Sequence, residues 1–359
     1  MTDQEHLKIG SLFAGYGGLD LGLTSVFSNA ETVWVSEVDP HPAKVLAYRY
    51  PNAPNLGDIT QINWNAVQPV DIICGGSPCQ DLSTVGRRAG MLPGTRSGLW
   101  ETMLQAINTI KPSYALWENV RGARSAKAFS RMEPRTGRVG DTTRRPVIRA
   151  LGRVLGDLAS IGYDTQWVSV LAAHAGAPHH RERVFVLAKR DGSHAGDWLT
   201  EPAPPVCMSV DSILPTPQAS VYGDGDPENW RKRNQKLMDT TGGCFGPQTE
   251  IIVPLIKPDR HGPWSVWTDA FRHWEKTVGY PVPELTVTIG NGKTRASQFF
   301  IEWLMGLPQG WVTGVPGISR RAAMKMLGNG VAPQQAALAL KIMLARFKEY
   351  GGKHVQHFC

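Results

Sequence analysis

The chain has 359 residues, 42% hydrophobic and 19% charged, which suits about two folded domains and excludes a disordered polymer. Its 38 glycines and 26 prolines make it loop-rich without low complexity, and no run of about 18 apolar residues offers a membrane span. The polar start does not read as a signal peptide, and five cysteines without a Cys-x-x-Cys pair argue against a disulfide scaffold or zinc finger, so a reduced, cytoplasmic protein is expected.

The first half alternates strands and helices. Residues 7–13 read as a buried strand, ending in the turn Gly15-Tyr16-Gly17-Gly18. An amphipathic helix follows through Leu19, Leu23 and Phe27, and residues 32–38 read as a second strand. Asp39-Pro40 opens the next helix, with proline in its first turn. Residues 71–75 form a short apolar strand, 99–110 a helix and 114–120 a strand. Residues 147–161 are expected to be helical, and 166–171 and 184–188 to be strands. This rhythm predicts a parallel sheet with helices on both faces.

From about residue 190 to 316 the chain turns rich in Pro, Gly and Trp and loses that rhythm, which predicts a second, smaller domain. Trp264, Trp267, Phe271 and Trp274 share one helical face, read as domain core in preference to a base-stacking surface. A final helix opens at Pro333 and carries the stripe Ala336, Leu340, Met343 and Phe347, which needs a partner. The first domain's sheet is the expected one, so the smaller domain becomes an insertion.

The charge is placed unevenly. Residues 121–149 hold nine basic side chains against Glu133 and Asp141, enough to account for the whole formal charge of +7. Such a segment suits phosphate binding, with a solvated basic loop as the plain alternative.

Several motifs fall at strand ends. Residues 13–18, Phe-Ala-Gly-Tyr-Gly-Gly, let the backbone approach a ligand, although the third glycine of the dinucleotide pattern is missing. Glu37, at the end of the second strand, is placed to take ribose hydroxyls, and Asp58 in Gly57-Asp58-Ile59 to bind an exocyclic amine. Cys79 lies in a Gly-rich loop followed by Gln80 and the basic Arg87, Arg88 and Arg96, and positive surroundings favour a thiolate. Glu118, in Glu118-Asn119-Val120, offers a carboxyl group for proton transfer to a ring nitrogen. Arg181 and Arg183 alternate with Glu182, so both are expected on one face. The pair His179-His180 does not suggest a metal, because neighbours on a strand point apart, and no metal is expected.

In this order the motifs resemble the DNA (cytosine-5-)-methyltransferase family. The resemblance covers residues 7–190 and about 297–345, and rests on 13–18, Glu37, 57–59, Pro78-Cys79-Gln80, 118–120, 181–183 and Gly328-Asn329-Gly330-Val331. Residues 299–311, with Glu302, resemble the family's segment that organises its target-recognition domain. The chain departs from the family where His179 replaces glutamine and Leu82 replaces phenylalanine, and residues 121–146 run longer than the family pattern.

The resemblance implies an α/β, Rossmann-like, S-adenosylmethionine-dependent methyltransferase domain over 1–190 and 317–359, with a target-recognition domain inserted at 191–316. It implies that Cys79 attacks carbon 6 of a flipped-out cytosine, Glu118 holds the exocyclic amine and N3, Arg183 contacts the base carbonyl and orients Glu118, and Arg181 supports the pocket. Phe13, Gly15, Gly17, Gly18, Glu37, Asp58, Pro78, Leu99 and Asn329 would bind S-adenosylmethionine and its product S-adenosylhomocysteine. Gln80, Ser83, Arg87 and Arg88 would meet DNA from a loop, 80–97, that closes over the base. The implied partner is duplex DNA, met by a monomer, alongside a cognate restriction endonuclease. A tRNA cytosine-5 methyltransferase and a catalytically inactive DNA-binding protein are the alternatives.

Overall fold

The computed structural model describes residues 6–77, 99–129, 147–192, 214, 256–260, 262–290 and 292–350. Ten strands are described: β1 (Leu7–Leu12), β2 (Ala30–Ser36), β3 (Ile72–Gly75), β4 (Tyr114–Val120), β5 (Lys127–Phe129), β6 (Val147–Arg149), β7 (Tyr163–Val170), β8 (Arg183–Arg190), β9 (Thr286–Thr288) and β10 (Thr294–Ala296). The described helices are α1 (Gly18–Val26), α2 (Pro40–Arg49), α3 (Leu99–Ile110), α4 (Ala150–Ser160), α5 (Thr268–Val278), α6 (Gln298–Leu304), α7 (Arg320–Asn329) and α8 (Pro333–Tyr350).

Six strands form the central sheet in the order β2-β1-β3-β4-β8-β7. The first four are mutually parallel, whereas β8 runs antiparallel to both β4 and β7. The expected sheet is therefore mostly parallel, with a reversed strand where the chain returns through 171–182 instead of crossing over with a helix.

Pleating sorts the strand residues into two cores. Ile72, Cys74, Leu116, Phe185 and Leu187 face α1 and α8, meeting Leu19, Leu23, Phe27, Ala336, Leu340 and Met343. Ile73, Ala115, Trp117, Val184 and Val186 face the other way, toward Trp100, Met103 and Ile107 of α3 and Val154 and Leu158 of α4. The stripe on α8 thus finds the sheet as its partner, far back along the chain.

Local starts follow from side-chain chemistry. The Asp39 carboxylate caps α2 by accepting from the His41 N–H at 3.1 Å, with Pro40 next in line. The helix expected over 147–161 begins only at Ala150; Val147, Ile148 and Arg149 instead pair antiparallel with β5. Branched residues suit that ladder, and Arg149 has its backbone in the extended region.

A third core lies beyond the sheet. Phe271 and Trp274 of α5 are fully buried against Phe300 and Trp303 of α6, with ring centroids 5.4–5.6 Å apart for Phe271–Trp303, Phe271–Phe300 and Phe300–Trp303. This is a core, as the aromatic stripe suggested, although Trp267 ends the 3-10 turn preceding α5 and Trp264 caps that turn. The Trp274 indole N–H donates to the Trp303 carbonyl at 2.8 Å. Tyr16 and Val45 join the same core, so it abuts the glycine-rich turn.

Candidate active site

The site forms at the carboxyl ends of β1 to β4. Glu118 occupies the end of β4 and is buried, with 7% of its surface exposed. The Arg183 Nε donates to its Oε1 at 3.0 Å, an ion pair between residues at neighbouring ends of β4 and β8. Burial pushes the Glu118 carboxyl above its ordinary value, while Arg183 and Arg181 pull it down; burial prevails, so the group retains a proton more readily than a surface glutamate. Gly76 passes directly beside it: a β-carbon there would stand 2.7 Å from Glu118 Oε2, so a larger residue would displace the carboxyl group.

Ser77 ties β3 to β4 on the same edge. Its hydroxyl accepts from the Trp117 indole at 3.0 Å and its carbonyl accepts from Asn119 Nδ2, also at 3.0 Å. The chain therefore leaves this edge two residues before Cys79. Pro78, Cys79, Gln80, Ser83, Arg87 and Arg88 lie outside the described residues.

Arg181 and Arg183 divide their tasks. Arg181 is fully buried, precedes β8 with a left-handed φ of 30°, and its Nη2 donates to the Gly328 carbonyl at 3.1 Å and also to that of Gly330. It thus props the turn after α7, while Arg183 holds Glu118. Glu182 points elsewhere, taking hydrogen bonds from Arg124 and Ser169. His179 is fully buried and hydrogen-bonded through Nε2 to the Leu304 carbonyl at 2.9 Å, which makes that nitrogen the donor. Burial, with Arg181 nearby, depresses its basicity to a pKa of about 3, so the imidazole is neutral.

The glycine-rich turn and Glu37 form a second cluster. Glu37 Oε2 accepts from the Gly15 N–H and Oε1 from the Asp39 N–H, each at 2.9 Å. Asn55 fixes the Glu37 backbone from both sides, and Ser36 Oγ donates to the Gly57 carbonyl at 2.7 Å, so 55–58 lies against the end of β2. Asp58 is exposed there, and hydrogen bonds from the Thr60 backbone and hydroxyl hold its carboxyl below the usual range. Phe13 is half-buried, with a φ of 52°, and Leu99 is half-buried at the start of α3. Tyr16, buried between Gly17-Gly18 and the last motif, donates to the Val331 carbonyl at 2.9 Å, beside the exposed Asn329.

This cluster fits an adenosine-type ligand. Gly15 has a φ of 56°, and among the described residues no atom comes within 4 Å of the place its β-carbon would take. Among the described residues, open space thus borders this backbone turn and the Glu37 carboxylate that accepts from it. Among the described residues no group of three or more His, Cys, Asp or Glu is arranged to hold a metal.

Sequence reasoning did not find Tyr16, Asn55, Ser77 or Gln335. Gln335, fully buried, donates to the carbonyls of Val170 and Arg181 at 2.7 and 2.6 Å and so locks α8 to the arginine motif. These residues hold backbone across long separations, which local spacing does not encode. The nearest signal was their adjacency to the motifs: Tyr16 lies inside one, and Ser77 and Gln335 lie just beside others.

Fold and site together define an α/β protein with a carboxylate–arginine pair and a glycine-rich ligand turn at one sheet edge. Residues 7–218 match the family model described as C-5 cytosine-specific DNA methylase, and the chain belongs to that family. It is 31% identical over 339 residues to the type II methyltransferase M2.BsuMI of Bacillus subtilis strain 168, covering 91% of this chain and 72% of that one. It is 28% identical over 281 residues to the type II methyltransferase M.NlaIV of Neisseria lactamica, covering 73% of this chain and 63% of that one. The chain matches 44–63% of the length of M.NlaIV and of two gonococcal type II methyltransferases. Among solved structures it resembles the Dnmt2 methyltransferase of S. pombe, with a TM-score of 0.55 at 13% identity, over 95% of this chain and 99% of that one. A prophage-encoded putative DNA modification methyltransferase of E. coli gives 0.53 at 18% identity, over 94% and 99%. At these identities the likeness concerns the fold, which is that of the Rossmann-like methyltransferases.

Proposed function

We propose that the protein transfers a methyl group from S-adenosylmethionine to carbon 5 of cytosine in duplex DNA. The observation that carries this reading is the buried Glu118–Arg183 pair, set beside the strand end that leads into Cys79. A base inside a duplex is out of reach of such a buried pair, so the cytosine is flipped out.

Carbon 5 of cytosine is a weak nucleophile, and covalent addition divides the difficult step. The Cys79 thiolate adds to carbon 6 of the ring. Glu118, whose buried carboxyl holds a proton more readily than an exposed one, donates to N3 as electron density arrives and accepts from the exocyclic amine. Arg183 fixes the carboxyl group and faces the base carbonyl; Arg181 holds 328–330 against the pocket. The cofactor supplies an electrophilic methyl group to carbon 5. A water molecule takes the carbon 5 proton, the ring double bond re-forms as the thiolate leaves carbon 6, and N3 returns its proton to Glu118, restoring the aromatic ring and Cys79. Phe13, the backbone of 15–18, Glu37, Asp58, Pro78, Leu99 and Asn329 would hold the cofactor, and Gln80, Ser83, Arg87 and Arg88 the DNA.

Residues 191–316 serve in this reading as the target-recognition domain, inserted into a catalytic domain of 1–190 and 317–359. The aromatic core of α5 and α6 also takes in Tyr16, Val45 and Leu327, so this segment packs directly on the proposed catalytic domain. Glu302 of α6 organises the junction, accepting from the backbone of Val312 and Thr313 at 3.0 and 2.7 Å. A cytoplasmic monomer acting beside a restriction endonuclease is the setting this reading implies; the relatives M2.BsuMI and M.NlaIV are named as type II methyltransferases. No helix among the described residues is long and apolar enough to cross a membrane. The test is transfer of labelled methyl groups to duplex DNA and to tRNA in parallel. Incorporation into duplex cytosine is expected; incorporation into tRNA alone would overturn the assignment.

A further inference from the structure

The basic segment of residues 121–149 stands outside the mechanism above, yet one described end follows Glu118 directly along the chain and the other is pinned to that end. The 3-10 turn Arg121–Arg124 continues directly from β4, three residues beyond Glu118. Arg121 and Arg124 both point at Glu182, at 3.8 and 2.6 Å, and their side chains stay 64% and 44% exposed against 22% for the glutamate. Ser169 Oγ also donates to Glu182, at 2.7 Å. One carboxylate thus answers two guanidinium groups, and positive charge remains in excess on an exposed rim.

The other end of the segment returns to the same place. β5 and β6 pair antiparallel, placing Arg149 opposite Lys127. The exposed Arg149 donates through Nη1 to the Ser125 carbonyl at 2.7 Å, pinning the hairpin to the turn. Arg183, the residue that grips Glu118, donates through Nη1 to the Glu182 carbonyl at 2.9 Å. The rim and the catalytic pair are therefore built on the same two strand ends.

We propose that Arg121 and Arg124 contact backbone phosphates of the DNA strand whose cytosine enters the site, with Glu182 as the counter-ion that positions them until phosphate arrives. Exposed arginines shared by one carboxylate are weakly held, and a phosphodiester oxygen offers each the bidentate partner its planar fork prefers. A continuous strand fits better than a small free anion, since the arginines sit on an open rim and not in a closed pocket. The inference rests on the proposed DNA substrate.

The test measures binding of the full chain to a duplex by fluorescence anisotropy across a salt series. Each phosphate contact contributes about 0.9 to the slope of log affinity against log salt, so Arg121→Gln with Arg124→Gln is expected to lower the slope by about 1.8. Arg121→Lys with Arg124→Lys is expected to restore most of it, which separates charge from folding. Glu182→Gln is expected to tighten duplex binding. An unchanged slope in the double glutamine variant, with wild-type protein methylating DNA, overturns the inference alone; failure of wild-type protein to methylate any DNA overturns the function it rests on. The same slope loss on tRNA, without one on duplex, assigns the rim to RNA and also overturns it.

Discussion

Glu118 is a buried carboxyl group set against an arginine. A carboxyl group with 7% of its surface exposed is held by the Arg183 guanidinium at 3.0 Å, and burial wins over the nearby arginines. Glu118→Gln retains a similar shape but has no proton to give N3, so methyl transfer should fall roughly 100-fold or more with cofactor affinity unchanged. Single-turnover transfer beside calorimetric binding checks this. Glu37 predicts the opposite split. Its two oxygens each accept a backbone N–H, and hydrogen bonds to charged groups contribute about 1.5–3 kcal/mol. Glu37→Gln should therefore raise the KM for S-adenosylmethionine roughly tenfold or more, with a much smaller change in kcat.

At the scale of the elements, β8 is reached through a stretch whose side chains are almost all committed. His179 holds α6, Arg181 holds the end of α7, Gln335 of α8 holds Arg181, and Arg183 holds Glu118. The His179 imidazole is neutral, with a pKa near 3 against 6.5 in an unfolded chain. A depressed pKa means the unfolded chain binds the extra proton. The stabilisation is fully present above pH 6.5 and is lost as pH falls toward 3, by up to a few kcal/mol. His179→Gln should flatten the dependence of Tm on pH across that window; an unchanged slope contradicts this. Much of this scale was legible in the sequence. Asp39-Pro40 gave the start of α2, and the limits of α3 and β4 fall where propensity placed them. The pairing of Val147–Arg149 with Lys127–Phe129 was not legible, because a three-residue strand depends on a partner supplied by tertiary contacts, and the helical pattern that follows concealed it.

The molecule as a whole depends on a late segment closing an early one. Tyr16 reaches Val331, Trp311 donates to the Tyr16 carbonyl at 2.7 Å, and α8 seals the sheet face first covered by α1. Leu340 sits 1% exposed in that seam, so Leu340→Ala should lower stability by about 2–5 kcal/mol, read by denaturant unfolding, although it lies far from the catalytic pair in sequence. The stripe on α8 was visible in the sequence, and the sheet was the partner expected for it. Several of the ordered motifs, 13–18, Glu37, Cys79 and 118–120, also pointed to one sheet edge, since each was expected at the end of a strand. The hydrogen bonds joining that edge to 328–335 were not visible, because they pair backbone carbonyls with side chains whose spacing carries no period. The central claim, that sulfur at position 79 bonds to a pyrimidine held by Glu118 and Arg183, has a direct measurement. Wild-type protein is incubated with S-adenosylmethionine and duplex DNA carrying 5-fluorocytosine at the methylated position, then analysed by denaturing mass spectrometry. A covalent protein–DNA adduct mapped to Cys79 and absent in Cys79→Ala is the predicted result; methylation proceeding in Cys79→Ala, or an adduct on another residue, contradicts it.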